Sequence, residues 1–393
     1  MFRKKFLPIE YATGTKSSLK DAIFKVIRYI KTSGLSRTAS KISGTYHLKS
    51  SVGFSGNYWD NNNQKRKNTK NSVAIIGCGY YAYANIAHYL KRENNSFLRC
   101  TLDVDAPRAR SLCEKYQGYY ATTDLQFILD DPFIKLVYIS TKHSFHADYA
   151  IKCIEAGKDV HIEKPHVMNN KELERLAQAI TKHKNVKVFL GFNRPKSDLF
   201  KRLLSQLDNY SGSLMINWFL VGHYLESNHW YFDGEEGGRV LGNLCHWTDA
   251  TLNLIGIDKA FPLEINPTFI NDSGSDFVVT ITFNDLSTAV FSFSAKGWVS
   301  TGIIESLRIQ KGDCVASIES FDKLTVDAKN FKKVWKNMFR DHGHKNNILN
   351  SFRNSMSEDG VGEPSEYIIN TARLYLAVDS AISTGKKIIL DKA

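Results

Sequence analysis

The sequence predicts a two-part α/β architecture, with a mostly parallel sheet in its first half and a larger, open, mostly antiparallel sheet in its second. Three observations carry this expectation. Residues 73–82, VAIIGCGYYA, read as a buried strand running straight into a tight turn and the start of a helix. From Ser72 to about residue 190, strand-length apolar runs alternate with helical spacings, which calls for parallel strands joined by right-handed crossovers. Beyond Gly191 the pattern changes to period-two alternation, as in 277–283 and 289–293, the signature of strands with one wet face.

A chain of 393 residues with 42% hydrophobic residues is long enough for two cores, and no run approaches the length of a membrane span. The net charge of +12 would point to an anionic partner if it were spread evenly. It is not: residues 1–70 hold 15 Lys/Arg and 3 Asp/Glu, and the remainder is balanced at 37 of each sign. The six cysteines show no C-x-x-C spacing and mostly fall in apolar runs, so neither a zinc site nor a disulfide framework is indicated and a reducing, cytoplasmic setting is expected.

The basic leader, residues 1–71, contains one amphipathic helix at 19–31. Leu19, Ile23, Val26, Ile27 and Ile30 share one face, and Lys20, Lys25, Arg28 and Lys31 lie on the other. Such a helix either packs on protein or lies on an anionic bilayer, which leaves a peripheral contact at the inner membrane face open. Residues 61–71, NNNQKRKNTKN, have almost nothing to bury and read as a linker. Nucleic acid is the least expected partner, because the densest basic run, 65–70, has no interleaved aromatics.

The first folded domain is expected over 72–191, with strands at 72–77, 97–103, 135–140, 158–162 and 186–190. Helices are expected at 79–91, 106–116, 123–130, 146–156 and 169–183. Gly77 permits the turn, Gly79 lets a pyrophosphate approach the backbone, and Ala82 is small enough for the helix to pack on the strand. Asp103 closes the second strand, 21 residues after Ala82, where a dinucleotide site places its acceptor for ribose hydroxyls. No arginine or lysine follows Asp103 within four residues, which favours NAD over NADP. Ligands of open parallel sheets bind beyond the carboxyl ends of the strands, so the loops 141–146 and 163–165 open onto the same cleft.

The second domain, 192–393, opens with a helix at 196–207 and ends with one at 366–385 that docks back on the body. Within it, 237–256 has helical spacing and sets His246 and Asp249 on one face. A lone histidine on a helix is more often a satisfied structural residue than a functional one.

These residues together resemble the glucose–fructose oxidoreductase / inositol dehydrogenase / MocA family, from about Ser72 to the C-terminus. The resemblance rests on VAIIGCGYYA, the strand end Asp103-Val104-Asp105, the block 139–165 ending in Glu163-Lys164-Pro165, GFNRP at 191–195, GGRVLGNLCHWTD at 237–249 and DHGHK at 341–345. It implies a Rossmann domain beside an open-sheet substrate domain, NAD as cofactor, and a homodimer or homotetramer. It further implies dinucleotide contacts from Gly77, Gly79, Tyr80, Tyr81, Ala82, Asp103, Ser140, Thr141, His143, His146, Glu163 and Lys164. Lys164 corresponds to the family's active-site lysine and His246 to its acid/base. Asn193, Arg194, Trp230, Arg239 and Asn243 are the implied substrate contacts, with Lys164 and His246. The family commonly carries an acid three or four positions before the histidine, where this chain has Asn243 and Gly242. Either Asn243 or Asp249 is then expected to orient His246. No metal is implied.

The expected function is NAD-dependent hydride transfer at a hydroxyl-bearing carbon of a sugar, nucleotide-sugar or cyclitol, as in surface-polysaccharide synthesis. The rival is a non-catalytic NAD-binding sensor or scaffold tethered by its basic leader.

Overall fold

The computed structural model describes residues 19–61, 72–225, 229, 232, 233, 236–270, 276–297 and 302–392. The leader contributes α1 (Leu19–Ser33), α2 (Leu35–His47) and β1 (Tyr58–Asp60), and the first domain proper begins at β2 (Val73–Ile76). There follow α3 (Ala87–Glu93), β3 (Leu98–Leu102), α4 (Ala106–Tyr116), β4 (Tyr120–Thr122), α5 (Gln126–Asp130), β5 (Leu136–Ile139), α6 (His146–Glu155), β6 (Asp159–Ile162), α7 (Asn170–Lys182) and β7 (Val188–Leu190). The strands form one seven-stranded sheet in the order β1-β4-β3-β2-β5-β6-β7, parallel except for β1 against β4. Strands β2, β5 and β6 are buried at every position, because helices cover both sheet faces; β2 and β5 therefore read as unbroken apolar runs, whereas β6 also buries Asp159 and His161. The chain leaves β2 towards β3 on one side and reaches β5 on the other, so a crevice opens beyond its carboxyl end.

The leader departs from the expected single helix. It carries a second helix and an edge strand, and both pack on the dinucleotide domain. Helix α2 gives little periodic apolar signal because its buried residues are Thr38, Ser40, Gly44 and His47. Small and polar groups make that contact: Ser43 Oγ lies 2.7 Å from Tyr83 Oη, and a Cβ on Gly44 would stand 3.1 Å from the Tyr80 ring. The polar run from 62 onwards lies outside the described residues.

The second domain begins at α8 (Asp198–Leu207) and β8 (Leu214–His223), then α9 (Cys245–Ile255), α10 (Ile257–Ala260) and β9 (Leu263–Ile270). Strands β10 (Asp276–Thr282), β11 (Thr288–Gly297), β12 (Ile304–Lys311), β13 (Cys314–Glu319), β14 (Lys323–Ala328) and β15 (Phe331–Lys336) continue it, ahead of α11 (His344–Met356), α12 (Ser365–Thr384) and β16 (Ile388–Leu390). Its nine strands run β15-β14-β13-β12-β8-β11-β10-β9-β16, antiparallel except between β8 and β11. Burial alternates along β8, so Ile216, Trp218 and Leu220 join the core while Met215 and Phe219 face out.

Helix α11 crosses back to seal the first sheet. Tyr138 donates to the carbonyl of Ile348 at 2.7 Å, His161 Nδ1 lies 2.6 Å from Ser351 Oγ, and Ser355 donates to Asp159 at 2.7 Å. The first core is therefore completed by residues from the end of the chain.

Candidate active site

The glycine turn is built by steric exclusion. Gly77 has φ of 85°, and a Cβ there would lie 2.5 Å from the carbonyl oxygen of Ser140, so only glycine fits between β2 and β5. A Cβ on Gly79 would meet nothing within 4 Å, which leaves that stretch of backbone open to a ligand. Asp103, at the end of β3, braces the turn: its carboxylate accepts from the backbone N–H of Cys78 at 2.7 Å and of Asp105 at 2.9 Å.

A cleft of about 690 Å³ extends from this turn to the second domain. Of the expected dinucleotide contacts, Gly77, Gly79, Tyr80, Tyr81, Asp103, Ser140, Thr141, His143, His146, Glu163 and Lys164 line it, and Asn193 and His246 line it from the substrate side. Ala82 is fully buried behind the turn and acts by being small. The open backbone at Gly79, the fixed carboxylate of Asp103 and the size of the cleft fit a nicotinamide dinucleotide. Those residues would hold its pyrophosphate and ribose.

Several histidines in the cleft are kept neutral. His143 sits between the backbone and side chain of Glu236, with Nδ1 donating to the Glu236 carbonyl at 2.8 Å, and burial pulls its pKa down to about 3. His146 has Nδ1 at 2.8 Å from the Pro165 carbonyl and Nε2 at 3.2 Å from that of Thr141, and burial lowers its pKa as well.

Lys164 follows β6, and its ammonium donates to the carbonyl of Gly242 at 2.7 Å. Gly242 lies in a π-helical turn, Val240–Leu244, that leads into α9, the helix bearing His246. The His246 imidazole is 7% exposed, its ring edges against Phe192 and Trp247, and its Nδ1 has no hydrogen-bond partner among the described residues. Burial, then the charges of Arg194 and Lys164, hold its pKa well below the usual histidine range. The result is a neutral imidazole beside a lysine cation, an arrangement able to accept a proton from a hydroxyl and stabilise the oxygen left behind.

Four expected site residues have other employment. Asp249 does not reach His246: its Oδ1 accepts from Tyr367 and, at 3.0 Å, from Thr371 of α12, and burial raises its pKa to about 7. It lies one turn after His246, but the hydroxyls of Tyr367 and Thr371 hold its carboxylate against α12. Asn243 turns its oxygen to Arg239 at 3.3 Å, and Arg239 also donates to the His223 carbonyl at 2.6 Å; neither residue lines the cleft. Arg194 is committed to the interior, where it makes a two-pronged pair with Glu305 at 3.0 and 3.1 Å. Trp247 donates to the same carboxylate at 2.8 Å. Burial alone would raise the Glu305 pKa, but Arg194 and its other partners hold it below the usual carboxylate range. Trp230 lies outside the described residues.

The cleft also recruits residues the sequence did not single out for it, among them Arg108, Tyr149 and His344. His344 begins α11, and its Nδ1 lies 3.1 Å from Tyr81 Oη. The signal was present in DHGHK, since Gly343 has φ of 88° and a Cβ there would strike the Asn193 carbonyl. Among the described residues no group of His, Cys, Asp or Glu could hold a metal ion, and no helix is long and apolar enough to cross a membrane.

Residues 71–192 match the Gfo/Idh/MocA oxidoreductase family, described by its NAD-binding Rossmann fold. The chain is 30% identical over 137 residues to myo-inositol 2-dehydrogenase of Thermotoga maritima, a stretch that covers 35% of this chain and 40% of that protein. It is 29% identical over 181 residues to scyllo-inositol 2-dehydrogenase (NADP(+)) IolW of Bacillus subtilis, covering 44% and 49%. The match thus spans between two-fifths and half the length of these curated relatives. Levoglucosan dehydrogenase, solved with NADH and levoglucosan, superposes with a TM-score of 0.69 over 81% of this chain and 99% of that one, at 15% identity, a likeness of fold. The matched domain and the shared overall fold lead to one conclusion: residues 71–192 are an NAD(P)-binding Rossmann domain of the Gfo/Idh/MocA oxidoreductase type, in a chain whose fold is that of such dehydrogenases.

Proposed function

We propose that the protein is an NAD-dependent dehydrogenase acting on a hydroxyl-bearing carbon of a sugar, nucleotide-sugar or cyclitol. The observation that carries this reading is the meeting of Lys164 and His246, 82 positions apart in sequence, in one cleft whose far end is the Asp103 turn. Oxidation of a secondary alcohol breaks a C–H bond and an O–H bond together. A bound nicotinamide supplies the acceptor for the hydride. His246, already neutral, takes the hydroxyl proton, and the Lys164 ammonium stabilises the oxygen as its charge develops. The relatives named for inositol support a polyhydroxylated substrate.

Reduction of NAD⁺ and NADP⁺ by the full chain, followed by absorbance across sugars, nucleotide-sugars and cyclitols, tests this. Turnover on at least one such compound is expected, and binding of NADH without turnover on any would favour the scaffold reading.

Two coarser expectations belong with this reading. The outward face of the second sheet exposes Met215, Phe219, Phe269 and Val315, a surface suited to a second copy of the chain. Helix α1 leaves Ile23, Ile27 and Ile30 exposed along one stripe beside Lys31, which keeps an anionic membrane surface as its proposed contact.

A further inference from the structure

The leader reaches the dinucleotide turn through one side chain. His47, the last residue of α2, is 4% exposed and stacks on the Tyr83 ring at 4.4 Å between centroids. Its Nε2 lies 2.7 Å from the carbonyl oxygen of Cys78, and its Nδ1 lies 2.9 Å from Ser111 Oγ on α4. A carbonyl can only accept, so Nε2 carries the proton, and Nδ1 accepts from the serine hydroxyl. Burial lowers the pKa of His47, in keeping with this neutral tautomer.

Cys78 is the middle residue of Gly77-Cys78-Gly79, and it is gripped from two sides. Asp103 takes its N–H at 2.7 Å, and His47 takes its C=O. The second grip matters for the next residue. A trans peptide is planar, so the C=O of Cys78 and the N–H of Gly79 point in opposite directions. His47 does not line the cleft, whereas Gly79 does. Holding the Cys78 carbonyl on the α2 side therefore turns the Gly79 N–H to the cleft side, where a pyrophosphate oxygen would be its acceptor.

We infer that His47 is a positioning residue for the dinucleotide: it fixes the Cys78–Gly79 peptide plane, and so makes the segment before the Rossmann domain part of the cofactor site. The inference rests on the dinucleotide reading of the cleft. It is distinct from a general packing role because only one of the two ring nitrogens does the work.

Two near-isosteric substitutions separate the nitrogens. In His47→Gln the side-chain amide N–H can occupy the place of Nε2 and still donate to Cys78. In His47→Asn a polar atom remains near Nδ1 and Ser111, but nothing reaches the Cys78 carbonyl. Titration of the full-length chain with NADH is expected to give a dissociation constant raised about tenfold in His47→Asn and within about threefold of the parent in His47→Gln, the scale of one hydrogen bond. The KM for the cofactor should rise in His47→Asn in step with the dissociation constant and return towards the parent value in His47→Gln. Thermal melts of the two variants show whether a loss of affinity is merely a loss of fold. Equal weakening in both variants, or unchanged affinity in His47→Asn, overturns the inference. A parent chain that does not bind NADH overturns the dinucleotide reading and the inference together, whereas a parent that binds with the two variants alike overturns only the role of His47.

Discussion

The Lys164 ammonium donates to the Gly242 carbonyl at 2.7 Å, and this bond ties a strand end of the dinucleotide domain to the turn that introduces His246. The partner of the lysine is a backbone dipole, in the turn where Gly242 and Asn243 stand. The Lys164 ammonium thus has a backbone partner, and His246 keeps its Nδ1 free of any partner among the described residues.

Lys164→Met and His246→Ala should each lower turnover by roughly a hundredfold or more, with NADH affinity nearly intact, as for groups that act chiefly in the transition state. Asn243→Ala should cost less than about threefold, because the Asn243 oxygen serves Arg239 rather than His246. Steady-state kinetics and an NADH titration on the three variants check both statements; a collapse of activity in Asn243→Ala would restore that residue as the orienting group.

Asp249 offers a test by pH. Its pKa rises from 3.8 to about 7 on folding, so the folded chain holds a proton that the unfolded chain has lost. Its contribution to stability is fully present below about pH 4 and is lost as the pH rises through 7. Asp249→Asn keeps an acceptor for Tyr367 and Thr371 and removes the titration. Relative to the parent, this variant should gain stability across that window, with a slope approaching about 1.4 kcal/mol per pH unit. Denaturant melts at several pH values measure it, and parallel curves for the two proteins would place the Asp249 pKa outside the window.

Asp103→Ser should narrow the preference for NADH over NADPH by about tenfold, since a carboxylate facing the ribose repels a 2′-phosphate. Arg108, paired with Asp105 at 3.1 Å, lines the same end of the cleft and would be the cation left to meet that phosphate. Competitive titrations with both dinucleotides measure the ratio. Equal affinity for the two in the parent would remove Asp103 as the discriminating group.

A chain that starts at Ser72 should melt on the order of 10 °C lower than the full protein and should aggregate on heating. Removing β1 uncovers the edge of β4, and removing α2 uncovers Tyr83 and the back of the glycine turn. Light scattering during thermal melts reads both effects, and an unchanged melting temperature would show the leader to be an appendage.

The sequence by itself determined what depends on neighbours in the chain. The apolar run of β2, the turn at Gly77 and the acid at the end of β3 lie within one strand-helix-strand unit, and their spacing dictates their geometry. The alternation along β10 and β11 in the same way announced strands of a second, half-wet sheet. The tertiary structure decided the matters of partnership. Arg194 and Glu305 stand 111 positions apart, Asp249 and Thr371 122, and Tyr81 and His344 263, so nothing local distinguishes a buried structural charge from one aimed at a ligand. Helix α2 escaped notice for a related reason: hydrophobic periodicity reports burial by apolar side chains, whereas α2 is held by a serine, a glycine and one histidine that reaches the Cys78 carbonyl.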